Sequence, residues 1–436
     1  MRWLLLLGLG LSACGGGPRA QVQSAVDSGD VSHALHAYER FRTSDGDDVE
    51  LLARVAELLL FSEARGDDAS RRSAAIHELS LAGTAGRPTL DRLATAGSVP
   101  ALTALARVGD ETARRVLRGM SDSSDPEVRA ASLLGASIDH DRALLLASAV
   151  ESSSRVRETA VSRLGELAPD SDIRALLEDR ARVDPEPGVR SAAVRALGAF
   201  GVAALELLRE RLSDSVASVR TASVEAILRA DRGQARAIFA ALLETPPSAQ
   251  GIEAARLLAT PVDRDDPPTD ADSQAARVYL LGCLSAADGI LRGQAAVAVL
   301  SLPGEEESAA ALRQALARET DSSVRLSIAR AMLRLSGTAS EATTALRTLV
   351  ASDLGMAGLQ AAALLAESHD ADAIARLDAA LIEPDTSLRR VAARALARDA
   401  MLPGHVTNAL SDADAEVRIA AAGGILAAYA AQSDRR

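Results

Sequence analysis

The sequence contains no lysine: all 48 of its basic residues are arginine. It is nearly as short of aromatics, with four Phe, three Tyr and one Trp, or 2% of the chain. Sandwiches and barrels draw on aromatic and β-branched residues to fill a pleated surface, so this shortage speaks against an all-β fold. Cysteine occurs only at Cys14 and Cys283, which excludes a disulfide framework. Positive charge is also in deficit, because 60 acidic residues outweigh the arginines and leave a formal net charge of −12. The arginines recur beside Asp or Glu and do not gather into one run, so the basic face that phosphate backbones require is missing and nucleic acid is not an expected partner. The all-arginine usage itself reads as a GC-rich coding bias that favours Ala, Arg, Gly and Asp.

What is abundant is small and aliphatic. Hydrophobic residues make up 48% of the chain and are mostly Ala, Leu and Val, the composition of thin, closely packed helices. A chain of 436 residues would ordinarily divide into two or three domains, since single cores stop growing near roughly 250–300 residues. A repeat array escapes that limit because each unit packs only on its neighbours.

The N-terminus carries an address. One positive charge at Arg2 precedes an apolar run from Leu4 to Leu11, broken only by Gly8 and Gly10, and Ser12-Ala13-Cys14 follows. The run is about half the ~20 residues of a spanning helix, so residues 1–13 read as a signal peptide. Leu11-Ser12-Ala13-Cys14 resembles the lipobox of bacterial lipoproteins, which implies a diacylated Cys14 as the mature N-terminus. Residues 14–18 then form the lipidated cysteine and a flexible Gly-rich tether. Gly15 stands where an inner-membrane retention signal of enteric bacteria would place Asp, so the resemblance implies a lipid-anchored protein of the cell envelope, at the outer membrane and facing the periplasm. Cys283 is left as a small buried residue within 278–284.

From Asp125 onward a segment of the form Val-Arg-x-x-small-x-x-x-apolar returns after a polar turn. Its instances begin at Val128-Arg129, Val156-Arg157, Val189-Arg190, Val219-Arg220, Leu291-Arg292, Val324-Arg325, Leu388-Arg389 and Val417-Arg418. Four residues after the start stand Ser132, Ala160, Ala193, Ser223, Ala295, Ile328, Ala392 and Ala421. Eight residues after it stand Ala136, Leu164, Leu197, Ile227, Val299, Met332, Leu396 and Ile425. This is one stripe of a helix. The small middle residue admits a neighbouring helix and the larger ones fill the space between layers. A second apolar helix precedes each stripe, as at 142–150, 173–182, 202–212, 309–318 and 373–382, so the unit is a helical hairpin. The spacing is close to 30 residues or twice that, with degenerate units at 252–259 and 356–364, so about ten units fit between residues 111 and 430.

The pattern resembles the HEAT family, in particular the short-repeat, bilin-lyase-like branch whose units carry Asp followed by Val-Arg. The resemblance implies an all-α fold, a right-handed α-solenoid of stacked hairpins over 111–430, ending in a C-terminal tail at 431–436. It also implies an internal polar ladder made by Arg129, Arg157, Arg190, Arg220, Arg325, Arg389 and Arg418 with Asp125, Asp184, Asp214, Asp321, Asp385 and Asp412 or Asp414. These residues would serve layer packing, each Asp capping a helix and facing an Arg of the next unit. Residues 19–110 read as an irregular helical cap for the array. There Gly29-Asp30 with Ala34, Ala37, Tyr38 and Phe41 is similar to half of a tetratricopeptide unit, with 49–61 as its partner. The Pro- and Asp-rich segment 260–272 reads as a surface loop.

Residues fit for catalysis are sparse. His33 and His36 could share a helix face, yet two imidazoles lack the further ligands of a lasting metal site. The di-iron hydroxylases of the HEAT family carry several His-Glu pairs, and this chain has only His77-Glu78. There is no nucleophile elbow, phosphate-binding glycine loop or zinc-type Cys/His spacing. No catalytic residue, metal or cofactor is therefore expected. The expectation is a monomeric, membrane-tethered, non-catalytic protein-interaction scaffold, set against an alternative in which the superhelix holds a protein substrate as a lyase or enzyme-maturation factor.

Overall fold

A computed structural model describes residues 17–433 apart from 138–139, 168–169, 261–266 and 399–402. Cys14 lies outside the described residues. Every regular element among the described residues is helical, and ten helical hairpins follow one another from Glu111 to Ser433. Their turns are set by local chemistry. Asp110, Asp125, Ser153, Asp170, Asp288 and Asp321 each accept a backbone N–H at the start of a helix, and Pro126 and Pro187 occupy first-turn positions where a missing N–H costs nothing. The expected loop at 260–272 is shorter at its C-terminal side than the composition suggests. The helix Asp270–Cys283 already starts there, because Thr269 and Asp272 form a reciprocal capping box.

The chain forms two compact units, residues 94–376 and residues 1–93 with 377–436. In the first, the second helices of successive hairpins stack on one another, among them Ser154–Leu164, Pro187–Leu197 and Ala217–Ala230. The stripe read from the sequence is their seam. Ala160, Ala193, Ser223 and Ala295 are completely buried, as are Leu164, Leu197, Ile227 and Val299. Close approach is enforced just past the stripe: a Cβ on Gly165 would lie 2.6 Å from that of Ala196, and one on Gly198 would lie 3.1 Å from the backbone of Ala226. The stretch Pro187–Arg211 is long and apolar enough to cross a membrane, but Gly201 breaks it at φ 62° and its side chains are largely buried among neighbouring helices.

In the second unit the N-terminal helices Val49–Glu63 and Ala69–Leu81 pack on the last helix, Ala415–Ser433, which also packs on Thr386–Arg398. Ala34, Ala37, Tyr38 and Phe41, the residues with tetratricopeptide character, are all buried. The compact units divide at 93/94 and 376/377, and in the second of them Val49–Glu63 and Ala69–Leu81 cover the last helix of the array. Their contact is intimate. A Cβ on Gly423 would collide with the Glu78 carboxylate, which is buried and paired with Arg394.

Candidate interaction site

The repeated arginine holds both its own turn and the next layer. Nη1 of Arg157 donates to the carbonyls of Glu151 and Ser152, at 2.9 and 2.8 Å, while Nε and Nη2 donate to the Asp184 carboxylate at 2.8 and 2.9 Å. Asp184 in turn offers its carbonyl to Arg190, whose Nε and Nη2 reach Asp214 at 3.1 Å each. Arg129 meets Glu151 in the same way, and Arg292 meets Glu319. Arg220 finds the Gln250 amide oxygen at 2.6 Å, and Arg325 keeps the carbonyl half of the pattern with Glu319. In the second unit Arg389 pairs with Asp412, and Arg418 pairs with Glu63, 355 residues away in sequence, at 2.8 Å. A helix from the N-terminal region therefore supplies the carboxylate that a further repeat would have supplied.

Two carboxylate positions that look alike in sequence are separated by the structure. Asp184, Asp214 and Asp412 stand six residues before their Arg and are the acceptors of the preceding unit. Asp125, Asp321 and Asp385 stand four residues before and cap helix N-termini through backbone N–H groups of Glu127, Ser323 and Ser387. Asp414 likewise takes the N–H of Glu416. The acceptors Glu151, Glu319, Gln250 and Glu63, and the donor Arg292, are absent from the expected set of rungs. The first four break the Asp pattern by residue type, whereas Arg292 belongs to a repeat instance, Leu291-Arg292, that carries no Asp six residues before it.

Electrostatics match this geometry. Burial alone would raise the Asp184 carboxyl, but hydrogen bonds from Arg157 and the Glu186 N–H, with the charges of Arg157 and Arg180, outweigh it and hold the group below the ordinary carboxylate range. Asp214 is lowered against the same burial penalty by Arg190, the Val216 N–H and Arg211. These pairs are tied into the layers. Cys283 is buried, and burial pushes its thiol up to about 11, the state of an inert structural cysteine. His33 and His36 are exposed on the helix Val31–Asp45, where the backbone N–H of His33 donates to Asp30 and the His36 ring meets the Ser32 carbonyl. His77 is exposed beside the buried Glu78. Among the described residues no group of three or more His, Cys, Asp and Glu is placed to hold a metal ion.

An open groove of about 900 Å³ lies in the unit 94–376. It runs across the faces of Ala217–Ala230, Ala249–Ala259, Gly289–Ala298 and Ser322–Met332. Its middle is aliphatic, with Ile290 71% and Val297 55% exposed. Between them lies Gly293, whose position a Cβ would fill to within 3.4 Å of Ser327. Glu253 and Arg256 form a two-pronged pair along one wall, at 2.8 and 2.5 Å. Asp288 and Asp321 stand exposed at the helix N-termini and accept the N–H groups of Ile290 and Ser323. No sequence signal marked this groove, because Ile290 and Val297 are ordinary members of an apolar helix until their burial is known.

Stacked hairpins with a repeated Asp, a Val-Arg pair and a small-residue seam define a class of helical repeat proteins. Residues 142–228 match the family described as HEAT repeats, and the chain contains HEAT repeats over that span. Solved structures that resemble the chain include the Escherichia coli protein YibA, at 15% identity, covering 57% of this chain and 89% of that one with a TM-score of 0.36. A Kap95:Nup1 complex is similar at 16% identity over 92% of this chain and 65% of that one, with a TM-score of 0.38. Human deoxyhypusine hydroxylase in complex with glycerol is similar at 20% identity over 67% of this chain and 97% of that one, with a TM-score of 0.24. A comparison with curated proteins finds no match.

Proposed function

We propose that this chain is a non-catalytic protein-interaction scaffold, tethered to a membrane of the cell envelope through a lipid on Cys14. The observation that carries the scaffold reading is the open groove with two exposed aliphatic side chains in its floor. Ile290 and Val297 stand exposed in the groove although the seam of the same helix, Ala295 and Val299, is buried, and exposed apolar side chains that line a groove mark contact with a partner. The groove lining holds no His or Cys, and its carboxylates are engaged as helix caps or paired with Arg256, which suits binding better than turnover. The lipobox-like segment supports the tether. Two measurements test the two halves. Cys14→Ser should abolish incorporation of labelled palmitate and release the protein from membranes, and continued labelling would refute the lipoprotein assignment. Photo-crosslinkers placed along the described helices should trap partner proteins on the groove side, and the absence of crosslinks over the whole chain would remove the scaffold reading.

A further inference from the structure

The joint between the N-terminal helices and the last helix differs from every rung described above in how the chain reaches it. Arg129, Arg157, Arg190, Arg220, Arg292 and Arg389 take their side-chain acceptors from 22 to 30 residues away, in the next hairpin, so their own chain supplies them. Arg418 takes Glu63 from 355 residues away. The compact unit of residues 1–93 and 377–436 is built from two segments that the chain connects through the separate unit 94–376, and its internal contacts are complete whichever molecule supplies each segment. We infer that this joint is exchangeable and that its second occupant is another copy of this chain. One copy seats its Val49–Glu63 and Ala69–Leu81 on Ala415–Ser433 of the other and receives the same in return, a closed swapped dimer in which Glu63 and Glu78 of each copy meet Arg418 and Arg394 of the other.

The joint carries its own recognition. Two arginines on the C-terminal side face two carboxylates on the N-terminal side, with Arg418 and Glu63 2.8 Å apart and Glu78 buried against Arg394. Gly423 leaves free the space that the Glu78 carboxylate fills. Charge and shape thus select these helices and no others of the chain, but they do not select which copy the helices come from. An end left uncovered would strand charges that are paired in the closed joint, so a cover of one origin or the other is strongly favoured. Because the contacts are the same in both forms, their balance is set by the effective concentration of the chain's own N-terminal helices against the concentration of other copies. The swapped form is closed: each copy gives one cover and receives one, which leaves no end open for a third.

The test unfolds the full chain in urea, refolds it at rising concentration and reads the mass by light scattering on a sizing column. The unaltered chain should give a dimer whose share grows with concentration. Glu63→Arg and Arg418→Glu each set like charges against one another at the joint, within one molecule and equally between two copies of the same variant. Mixed before refolding, the two variants restore opposite charges at both joints of a swapped pair, so the mixture should hold at least about tenfold more dimer than either variant alone. The doubly reversed chain, Glu63→Arg with Arg418→Glu, restores the pairing within one molecule and should match the unaltered chain, which separates lost pairing from lost folding. A mixture that stays monomeric while the doubly reversed chain folds overturns the inference, as does an unaltered chain that is monomeric at every concentration. Dimer formed equally by each variant alone places the contact elsewhere and overturns it too. If the doubly reversed chain does not fold, the unaltered series decides: Gly423→Leu, which fills the seat of Glu78, should abolish its dimer, and a dimer that survives this change overturns the exchange.

Discussion

Replacing Asp184 with Ala removes the most buried rung of the ladder. Its carboxylate is fully enclosed and receives Nε and Nη2 of Arg157, Nη1 of Arg180 and the N–H of Glu186. Arg157, itself 7% exposed, would keep its two carbonyl contacts but lose its counter-charge. Leaving one member of a buried pair unpaired costs about 3–5 kcal/mol, whereas replacing both members by apolar groups is often close to neutral. Asp184→Ala should therefore be more damaging than the double variant Arg157→Met, Asp184→Leu. Because neighbouring repeats share interfaces, the loss should be local, so hydrogen exchange read by mass spectrometry is more informative than a single melting curve. Protection should fall most in Ser154–Leu164 and Pro187–Leu197 and progressively less in more distant layers of the same unit. The control is Glu210→Gln. Glu210, nearly half exposed, pairs with Arg182 at 3.4 Å and with the adjacent Arg211, and pairs of an exposed carboxylate are worth less than about 1 kcal/mol. If Asp184→Ala lowered local opening energies by less than about 1 kcal/mol, or raised exchange evenly along the unit, the ladder would not be what binds layer to layer.

Ala193→Leu should destabilise the same region by about 1–3 kcal/mol, since Ala193 is completely buried in the seam; an unchanged urea midpoint would refute the packing assignment. Acid should loosen the array: Asp184, Asp214 and Glu319 are held below their ordinary values when folded, so their contribution is fully present above about pH 4 and is lost as pH falls through the folded values. Asp184→Asn with Asp214→Asn should flatten that acid limb in a pH series of thermal unfolding, and an identical limb would show that other groups carry it. Gly423→Leu should drive the last helix off Glu78 and raise exchange together in Ala69–Leu81 and Ala415–Ser433, while the layers at 156–227 keep their protection. Loss of protection in only one of those two helices would contradict their packing.

The hairpins, their number and their seam were legible because apolar periodicity reports directly on which face is buried. Ser132, Ala160 and Ala193 could be placed from spacing alone, and the degenerate units at 252–259 and 356–364 proved to be helices Ala249–Ala259 and Met356–Ala366. The ladder was half legible. Arg157 and Arg190 announce themselves through Val-Arg, but a turn can offer two carboxylate positions, and only geometry tells a cap such as Asp125 from an acceptor such as Asp184. Gln250 and Glu151 serve as acceptors without being Asp, so a residue-type pattern passes over them. The pairing of Glu63 with Arg418 was illegible because no local period relates residues so far apart. Ile290 and Val297 were invisible as a site for the opposite reason, since in composition they match the seam.

The shared unit of residues 1–93 and 377–436 has a consequence for how the chain acquires its structure. The helices Val49–Glu63 and Ala69–Leu81 are made early, yet the surface they cover belongs to Ala415–Ser433, which is made last. At a synthesis rate of ~5–20 residues per second, the roughly 330 residues between Leu81 and Ala415 impose a wait of about 17–67 s. During that interval the faces of Val49–Glu63 and Ala69–Leu81 that meet Ala415–Ser433 stay uncovered, although the local repeats between can fold as they emerge. The beginning of the chain is therefore its last part to settle and the part most in need of protection from aggregation before then.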